Sequence, residues 1–367
     1  MTEKISTWQA GSLLGSLIIS TAILFPPVLV VQEAGRDAWL AFILGAVLGA
    51  LIALLAVALS SRYPSQNLLG LAESILGRIL GKLIGLAYIF YFISLNAFVV
   101  REFSSFMAIS FMPHTPIHVF SISIILLSTY AVYLGLEVIG RVSEIVFVPV
   151  VIFLWLFIAL LINKTEFTAL LPLLEMGTGP AGRGSIIFTG WTGEIFLICM
   201  LYPHLVRPRR ALQVGLITVA IVGFTLAAGA VVLEGLFGFQ LISRITFPIL
   251  DYVRLISLGG FLERIEALVI LIWIAGVYVK ISFMHYLSAV SLRQIFGFAD
   301  YRPLLLPLAA LTVALSVFLF ENVLEMIRFL KISWPVFNLL FAAGVPFFLY
   351  LLSLLKAAFK TGLKAGG

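Results

Sequence analysis

Charged side chains are scarce in this sequence. Only 11% of its 367 residues are Asp, Glu, Lys or Arg, and 62% are hydrophobic, whereas a soluble chain is about a quarter charged. This balance excludes a water-soluble enzyme, a disordered protein and a nucleic-acid-binding protein. The single cysteine, Cys199, excludes an intramolecular disulfide, and one Cys with four His is too few for a typical zinc site. The sequence has no Walker motif, Rossmann fingerprint or metal-ligand helix, so we expect neither a cofactor nor an enzymatic activity.

Long apolar runs take the place of the missing charges. A helix needs roughly 20 apolar residues to cross a bilayer, and lipid offers no hydrogen-bond partner to backbone amides outside such helices. The sequence therefore predicts an all-α polytopic membrane protein with ten transmembrane helices. The predicted spans are 8–31, 38–60, 83–111, 117–135, 142–163, 185–204, 211–233, 262–290, 303–320 and 334–356. The segment before the first span lacks a cleavage site of small residues, so we expect no removable signal peptide.

The basic residues indicate the orientation of the chain in the membrane. If both termini are cytoplasmic, 13 of the 23 Lys and Arg residues fall on the inner side and 8 on the outer side. Because short cytoplasmic loops carry an excess of Lys and Arg, this distribution predicts cytoplasmic termini.

Two amphipathic stretches indicate an internal repeat. The stretches Ser61–Lys82 and Glu234–Phe261 hold the same place in two sets of five spans, and both are typical of helices that lie at the membrane surface. Five is an odd number, so the second set must be inverted relative to the first. The sequence therefore predicts a 5+5 inverted repeat, with residues 1–163 as the first half and residues 185–356 as the second.

The first helix of each half carries a pattern that predicts an interruption. The first span contains Ser20, Thr21, Ala22 and Ile23 just before two prolines, which remove amide donors and obstruct the preceding turn. The corresponding residues of the sixth span are Thr189, Gly190, Trp191, Thr192, Gly193 and Glu194. Interrupted helices line the central site of many secondary carriers. The alternative is that the prolines and glycines serve only helix packing.

Several stretches resemble a known family. Residues 261–268, followed by Trp273 and Lys280, are similar to the eighth helix of the B-subunit permeases of bacterial spore germinant receptors. These permeases are a branch of the amino acid–polyamine–cation superfamily. The supporting stretches are 34–39, 100–103, 112–116, 247–248 and 300–303. One departure lies in the first span, where Ser20–Leu24 replaces the Gly-Thr-Gly-Ile-Leu pattern frequent in the family.

The resemblance implies a fold, a role and partners. The implied fold is that of the leucine transporter, with helices 1 and 6 broken, in the spore inner membrane. The implied role is to recognise a small germinant, often an amino acid, within a complex with an A-type membrane subunit and a C-type lipoprotein. Two alternatives remain open, a proton-coupled amino acid transporter that works alone and a scaffold that binds no ligand.

Four charged side chains fall within the apolar runs, where charge is costly and frequently functional: Arg101, Glu102, Glu194 and Lys280. Glu194 follows the second glycine of the sixth span and either meets a substrate ammonium, takes up a proton or caps the interrupted helix. Glu102 and its neighbour Arg101 point about 100° apart, so each needs a partner on another helix or at the interface. For Arg101 the sequence favours the interface.

Lys280 lies 14 residues beyond Glu266, hence about 21 Å deeper along the helix. Sodium-coupled relatives of the implied fold hold an ion near that depth, between their first and eighth helices. We interpret Lys280 either as a substitute for that ion, bound to carbonyls of the first span, or as a lysine that reaches the cytoplasmic interface.

The predicted ligand site lies between Ser20–Ile23 and Thr189–Gly193. A small amino acid bound there directs its carboxylate to free amides and its ammonium to opposing carbonyls. Phe98, Trp191 and Trp273 are the aromatic side chains expected to close over it, although aromatic side chains in membrane helices more often serve packing.

Overall fold

The fold was examined in a computed structural model that describes residues 4–245, 247 and 265–365, without the side chains of 265–269 and 359–365. Within these residues the secondary structure is helical, apart from one bridge between Ile5 and Leu205. The predicted all-α class is confirmed. The α-helices are α1 Thr7–Ala22, α2 Pro26–Ala34, α3 Ala38–Ser61, α4 Leu68–Leu76, α5 Arg78–Ser110, α6 Ile117–Leu134, α7 Leu136–Leu161, α8 Thr178–Thr192, α9 Ile198–Leu201, α10 Ala211–Phe237, α11 Phe239–Ile242, α12 Ile265–Phe296, α13 Leu305–Phe318, α14 Val323–Leu339 and α15 Val345–Ala365.

Eight helical stretches of the described chain are long and apolar enough to cross a membrane. They are Pro26–Ser61, Arg78–Ser110, Ile117–Leu134, Leu136–Lys164, Thr178–His204, Pro208–Phe237, Ile270–Phe296 and Val323–Ala358. A shorter apolar helical stretch, Arg302–Phe318, corresponds to the predicted ninth span. The predicted first span divides into α1 and α2. The count of ten spans therefore stays a prediction.

The first helix ends inside its predicted span. α1 stops at Ala22, and α2 begins at Pro26 after a three-residue turn. Proline is well suited to the first turn of a helix, because the amides of that turn have no partner within the helix. In the turn the amide of Ile23 donates to the carbonyl of Ile19 at 3.1 Å, and that of Leu24 donates to Thr21 at 3.2 Å.

The sixth span changes its helix type without unwinding. α8 ends at Thr192, a 3-10 helix follows over Gly193–Leu197, and α9 begins at Ile198. This whole region is buried, and buried backbone must keep its hydrogen bonds. A tighter helix meets that demand where an unwound segment does not.

One predicted surface stretch contains a short helix. α4 lies between α3 and α5, and its residues Leu68, Leu71, Ala72 and Ile75 are buried as their shared face predicts. Gly77 ends α4 at a φ of 83°, so Ile79 belongs to α5 and is 79% exposed instead of sharing the buried face of α4. In the second stretch, α10 extends to Phe237 and α11 follows, whereas 246 and 248–264 lie outside the described residues.

Small residues bring α3 close to its two neighbours. A Cβ at Gly49 would lie 2.7 Å from the Cβ of Thr192 in α8, and a Cβ at Gly223 in α10 would overlap with that of Ala46. The hydroxyl of Thr192 also donates to the carbonyl of Gly45 at 2.8 Å. Small residues allow this approach of helix backbones in a membrane, where van der Waals packing drives association. α3 thereby fixes the position of α8, which leads into the candidate site.

The close approach of α3 and α10 is testable with a matched pair of alanine substitutions. We expect Gly223→Ala to lower the unfolding temperature of the purified protein, because its methyl group overlaps with Ala46 and overpacking costs about 1–3 kcal/mol. Gly229→Ala, in the same helix, has no atom within 4 Å of the new Cβ and should leave the unfolding temperature unchanged or slightly raised. Equal effects of the two substitutions would contradict this packing.

Candidate functional site

An ion pair lies at the meeting point of three helical segments. Lys280 of α12 is 1% exposed, and its Nζ donates to both carboxylate oxygens of Glu194 at 2.8 Å and to Oγ1 of Thr21 at 2.7 Å. These partners belong to the 3-10 segment of the sixth span and to the end of α1. A buried charge is tolerated when a partner of opposite charge and hydrogen bonds compensate for its lost hydration.

The position of Lys280 differs in two ways from the sequence prediction. Its contact with the first span is to the hydroxyl of Thr21, not to the backbone carbonyls that we expected. Its main partner is Glu194, which we had placed opposite a substrate ammonium or at a helix cap. The alternative of a lysine that reaches the interface is wrong, because the side chain is buried.

A small cavity adjoins this ion pair. It is lined by Thr21, Leu95, Phe98, Val99, Glu102, Trp191, Glu194, Lys280, Leu330 and Trp334. Six of the predicted site residues are thus brought together. The free volume of the cavity is about 10 Å³. One water molecule needs roughly 10–15 Å³. The structure is therefore a closed state that has no room for an amino acid.

Glu102 is the acidic side chain of this cavity that has no ion-pair partner among the described residues. Its side chain is 4% exposed, and its Oε1 accepts no hydrogen bond from any residue that the structure describes. Buried polar atoms in native proteins nearly always have a partner, so such an atom calls for a water, a proton or a ligand.

Arg101, next to Glu102, has a structural role. Its side chain is buried, and its Nη1 donates to the carbonyls of Ser316 and Val317 at 3.3 and 3.0 Å. These carbonyls lie in the last turn of α13, where unpaired acceptors attract a cation. Arg101 thus has a partner on another helix, one of the two possibilities that the sequence left open.

The remaining predicted residues lie outside the small cavity. The carbonyl of Ser20 accepts a hydrogen bond from Nε1 of Trp273 at 2.7 Å, and the Trp273 ring packs on Phe106 with ring centroids 4.4 Å apart. Thr189 donates to the carbonyl of Ser185 at 2.7 Å. Ala22 is fully buried.

The backbone amides expected to receive a ligand carboxylate are occupied. Ile23 and Leu24 donate within the turn after α1, and the amide of Gly193 donates to carbonyls of α8. A carboxylate can bind these amides only after the helix ends rearrange.

Asn338, which the sequence analysis did not single out, links three spans. Its Nδ2 donates to the carbonyl of Gly190 at 2.9 Å, and its Oδ1 accepts from the hydroxyl of Tyr91 at 2.6 Å. A Cβ at Gly193 would lie 2.9 Å from the same Nδ2, so glycine is needed for this approach. Asn338 is neutral, so the presence of charge in apolar runs does not single it out. A polar amide within an apolar run was the signal available in the sequence.

A π-helical turn follows Asn338 in the same span. It covers Leu340–Gly344, between α14 and α15, and the hydroxyl of Tyr88 donates to the carbonyl of Phe341 at 2.8 Å. π-helical turns are rare in proteins, and those that occur are often found at functional sites. α5 thus binds the last span at two points, Asn338 and the π-turn.

The first span is fastened at both ends. Before α1, the amide of Ile5 donates to the carbonyl of His204 at 2.9 Å, and the amide of Val206 donates to the carbonyl of Ile5 at 3.0 Å. At the end of α2, Glu33 forms an ion pair with Lys331 of α14 at 2.8 Å. The carboxylate of Asp37 accepts from the amide of Leu174 at 3.0 and 3.2 Å. Both ends of the first span are therefore held by neighbouring segments of the chain.

Solved structures of transporters share this architecture. MhsT in complex with L-phenylalanine matches with a TM-score of 0.62 and 15% identity, over 90% of this chain and 88% of that one. Mhp1, a nucleobase-cation-symport-1 family transporter in a closed conformation with bromovinylhydantoin bound, matches with a TM-score of 0.59 and 14% identity, over 94% and 78%. The protein is thus an integral membrane protein with the fold of leucine-transporter-like permeases.

Sequence comparisons give the family. The model of the spore permease family, described as spore germination proteins, matches residues 4–323. The chain belongs to this family. The spore germination protein KB of Bacillus subtilis (strain 168) is 28% identical over 329 residues, which cover 88% of each chain. Spore germination protein YndE of the same organism is 27% identical over 302 residues, 80% of this chain and 82% of YndE. The resemblance described from the sequence is confirmed.

The link through Asn338 predicts the effect of removing one hydroxyl. We expect Tyr91→Phe to destabilise the purified protein by about 1–3 kcal/mol, because it takes the donor from a buried oxygen of Asn338. Tyr130→Phe is the control, since Tyr130 is 64% exposed on α6. The measurement is thermal unfolding in detergent. An unfolding temperature for Tyr91→Phe equal to that of the control would show that the link contributes nothing.

Proposed function

We propose that the protein is the permease-like subunit of a spore germinant receptor, which binds a small nutrient germinant, an amino acid, and signals germination. The observation that carries the proposal is the buried contact of Lys280 with Glu194 and Thr21 beside a closed cavity. This contact joins the three segments that must separate if the cavity is to admit a ligand. Ligand binding is then coupled to a change in helix arrangement, which partner subunits can detect.

In this proposal the cavity is the closed form of the ligand site. The ammonium of the amino acid meets Glu102, whose carboxylate lacks a partner among the described residues. Lys280 and Glu194 already bond to each other, so Glu102 is the carboxyl of the cavity that is left for the ligand ammonium. The ligand carboxylate meets the amides of the turn after α1 once Ile23 and Leu24 release their acceptors.

The proposed setting follows the family and the charge distribution. The protein lies in the spore inner membrane with both termini in the cytoplasm, and it assembles with an A-type membrane subunit and a C-type lipoprotein. It has ten spans in two inverted repeats, residues 1–163 and 185–356, with the first and sixth helices interrupted. The turn at Ile23–Phe25 and the change of helix type at Gly193 support the two interruptions.

A second candidate function is amino acid transport coupled to protons. The unpaired carboxylate of Glu102 and the similarity to transporter structures favour it.

Two assays on one protein distinguish the functions. Deletion of the gene from a sporulating host, followed by germination on a panel of nutrients, tests the receptor. Uptake of labelled amino acids by proteoliposomes under a pH gradient tests the carrier. Uptake without a germination defect would overturn the receptor proposal.

Substitution of Glu102 should weaken ligand binding without lowering the stability of the protein. We expect Glu102→Gln to raise the germinant concentration for half-maximal response by at least about tenfold, since about 1.4 kcal/mol of lost ammonium binding corresponds to that factor. We also expect unfolding at an unchanged or higher temperature, because the substitution removes a buried carboxyl that has no hydrogen-bond partner among the described residues. The assays are germination of complemented spores and thermal unfolding. An unchanged response would exclude Glu102 from the site.

The role of Lys280 is tested by conservative substitution. We expect Lys280→Ala to impair the germinant response, and Lys280→Arg to restore little of it, because a forked guanidinium does not fit the place of an ammonium among Thr21 and Glu194. The response should also be independent of sodium, since in this proposal the ammonium takes the place of the ion that related carriers hold. Lys164→Ala, at an exposed position, is the control. A sodium requirement or a fully active Lys280→Ala would contradict this role.

A further inference from the structure

A second cavity opens towards the membrane, apart from the one at Lys280. Its wall includes Ile23 in the turn after α1, Pro27 of α2, Leu154 and Ile158 of α7, and Gly229 and Leu233 of α10. The lining is apolar apart from Thr225, whose hydroxyl accepts a hydrogen bond from Nε1 of Trp155 at 3.1 Å. The free volume of this cavity is about 40 Å³. One water molecule needs roughly 10–15 Å³.

A missing side chain at Gly229 leaves this space unfilled. A Cβ at Gly229 would meet no atom within 4 Å, whereas a Cβ at Gly223 of the same helix would overlap with Ala46. Protein interiors are close-packed, and a void forfeits the dispersion contacts of the atoms around it. A groove of this kind beside densely packed helices favours a second molecule that completes the packing.

The surroundings of the groove identify the occupant. α7 and α10 belong to membrane spans, and their neighbouring side chains Ile152 and Phe224 are 58% and 62% exposed on the outer surface of the helices. Leu154 and Gly229 of the lining are half-buried, so the groove reaches the outer surface of the helices between α7 and α10. Ordered water requires two to four polar partners, and the lining supplies one hydroxyl that is already engaged. We propose that the acyl chain of a membrane lipid occupies this groove.

The bound chain contacts the part of the first span that the ligand site also uses. Ile23 is two residues beyond Thr21, which binds Lys280, and Pro27 lies in the first turn of α2. An acyl chain against both residues braces the turn and the start of α2 against α7 and α10. The bilayer thus supplies packing that the protein lacks at the turn between α1 and α2.

Photolabelling tests the proposal on the full-length protein. The protein is reconstituted with phosphatidylcholine that carries a diazirine in one acyl chain, irradiated and mapped by peptide mass spectrometry. We expect label on Thr225, Ala230 and Leu233, which are at most 6% exposed and are within reach only of a chain inside the groove. We expect Gly229→Leu, which fills the groove, to lose this label severalfold while label on exposed Phe224 persists.

Gly182→Leu is the matched control, because a Cβ at Gly182 also meets no atom within 4 Å but lies in α8, away from the groove. Its labelling should equal that of the native protein. Absence of label from the three buried residues in the native protein, or equal label in Gly229→Leu, would overturn the proposal. If Gly229→Leu fails to fold, Gly229→Val provides the smaller filling side chain, and the labelling pattern of the native protein still decides between a filled and an empty groove.

Discussion

The arrangement of the helices depends on one buried ion pair, Lys280 with Glu194. Each charge alone would be costly at membrane depth, and removing one partner of a buried pair typically costs about 3–5 kcal/mol. The pair therefore requires α12 to lie against the 3-10 segment of the sixth span, and the hydroxyl of Thr21 adds the end of α1. Three separate parts of the chain meet here because each buried charge needs the other as its partner.

The rest of the site holds this meeting point closed. Asn338 binds the sixth span to the last one just before the 3-10 segment that carries Glu194. The two ends of the first span are fastened by the backbone bonds of Ile5 and by the ion pair of Glu33 with Lys331. A movement of the whole first span would therefore disturb contacts at both of its ends. A ligand that stabilises an open arrangement would shift the population of the whole bundle.

The sequence was sufficient for part of this arrangement. Charges are rare in the apolar runs, so Glu102, Glu194 and Lys280 are recognisable as candidate site residues, and paired prolines predict where α1 ends. The pairing of Lys280 with Glu194 could not be predicted from the sequence. The depth of a residue along a helix follows from the sequence, but the rotation of one helix against another does not. Asn338 carries no charge and was missed. The 3-10 form of the sixth span depends on burial by neighbouring helices, which no local pattern records.

The central claim is that Lys280 and Glu194 stabilise the bundle as a pair, and a double-mutant cycle on purified protein tests it most directly. The account predicts that Lys280→Met and Glu194→Gln each destabilise the protein by about 3–5 kcal/mol, because each leaves one charge buried without a partner. The double variant should lose clearly less than the sum of the two, with a coupling energy of at least about 1 kcal/mol in denaturant unfolding. Losses that add within about 0.5 kcal/mol would show that the two side chains act independently, and would contradict the account.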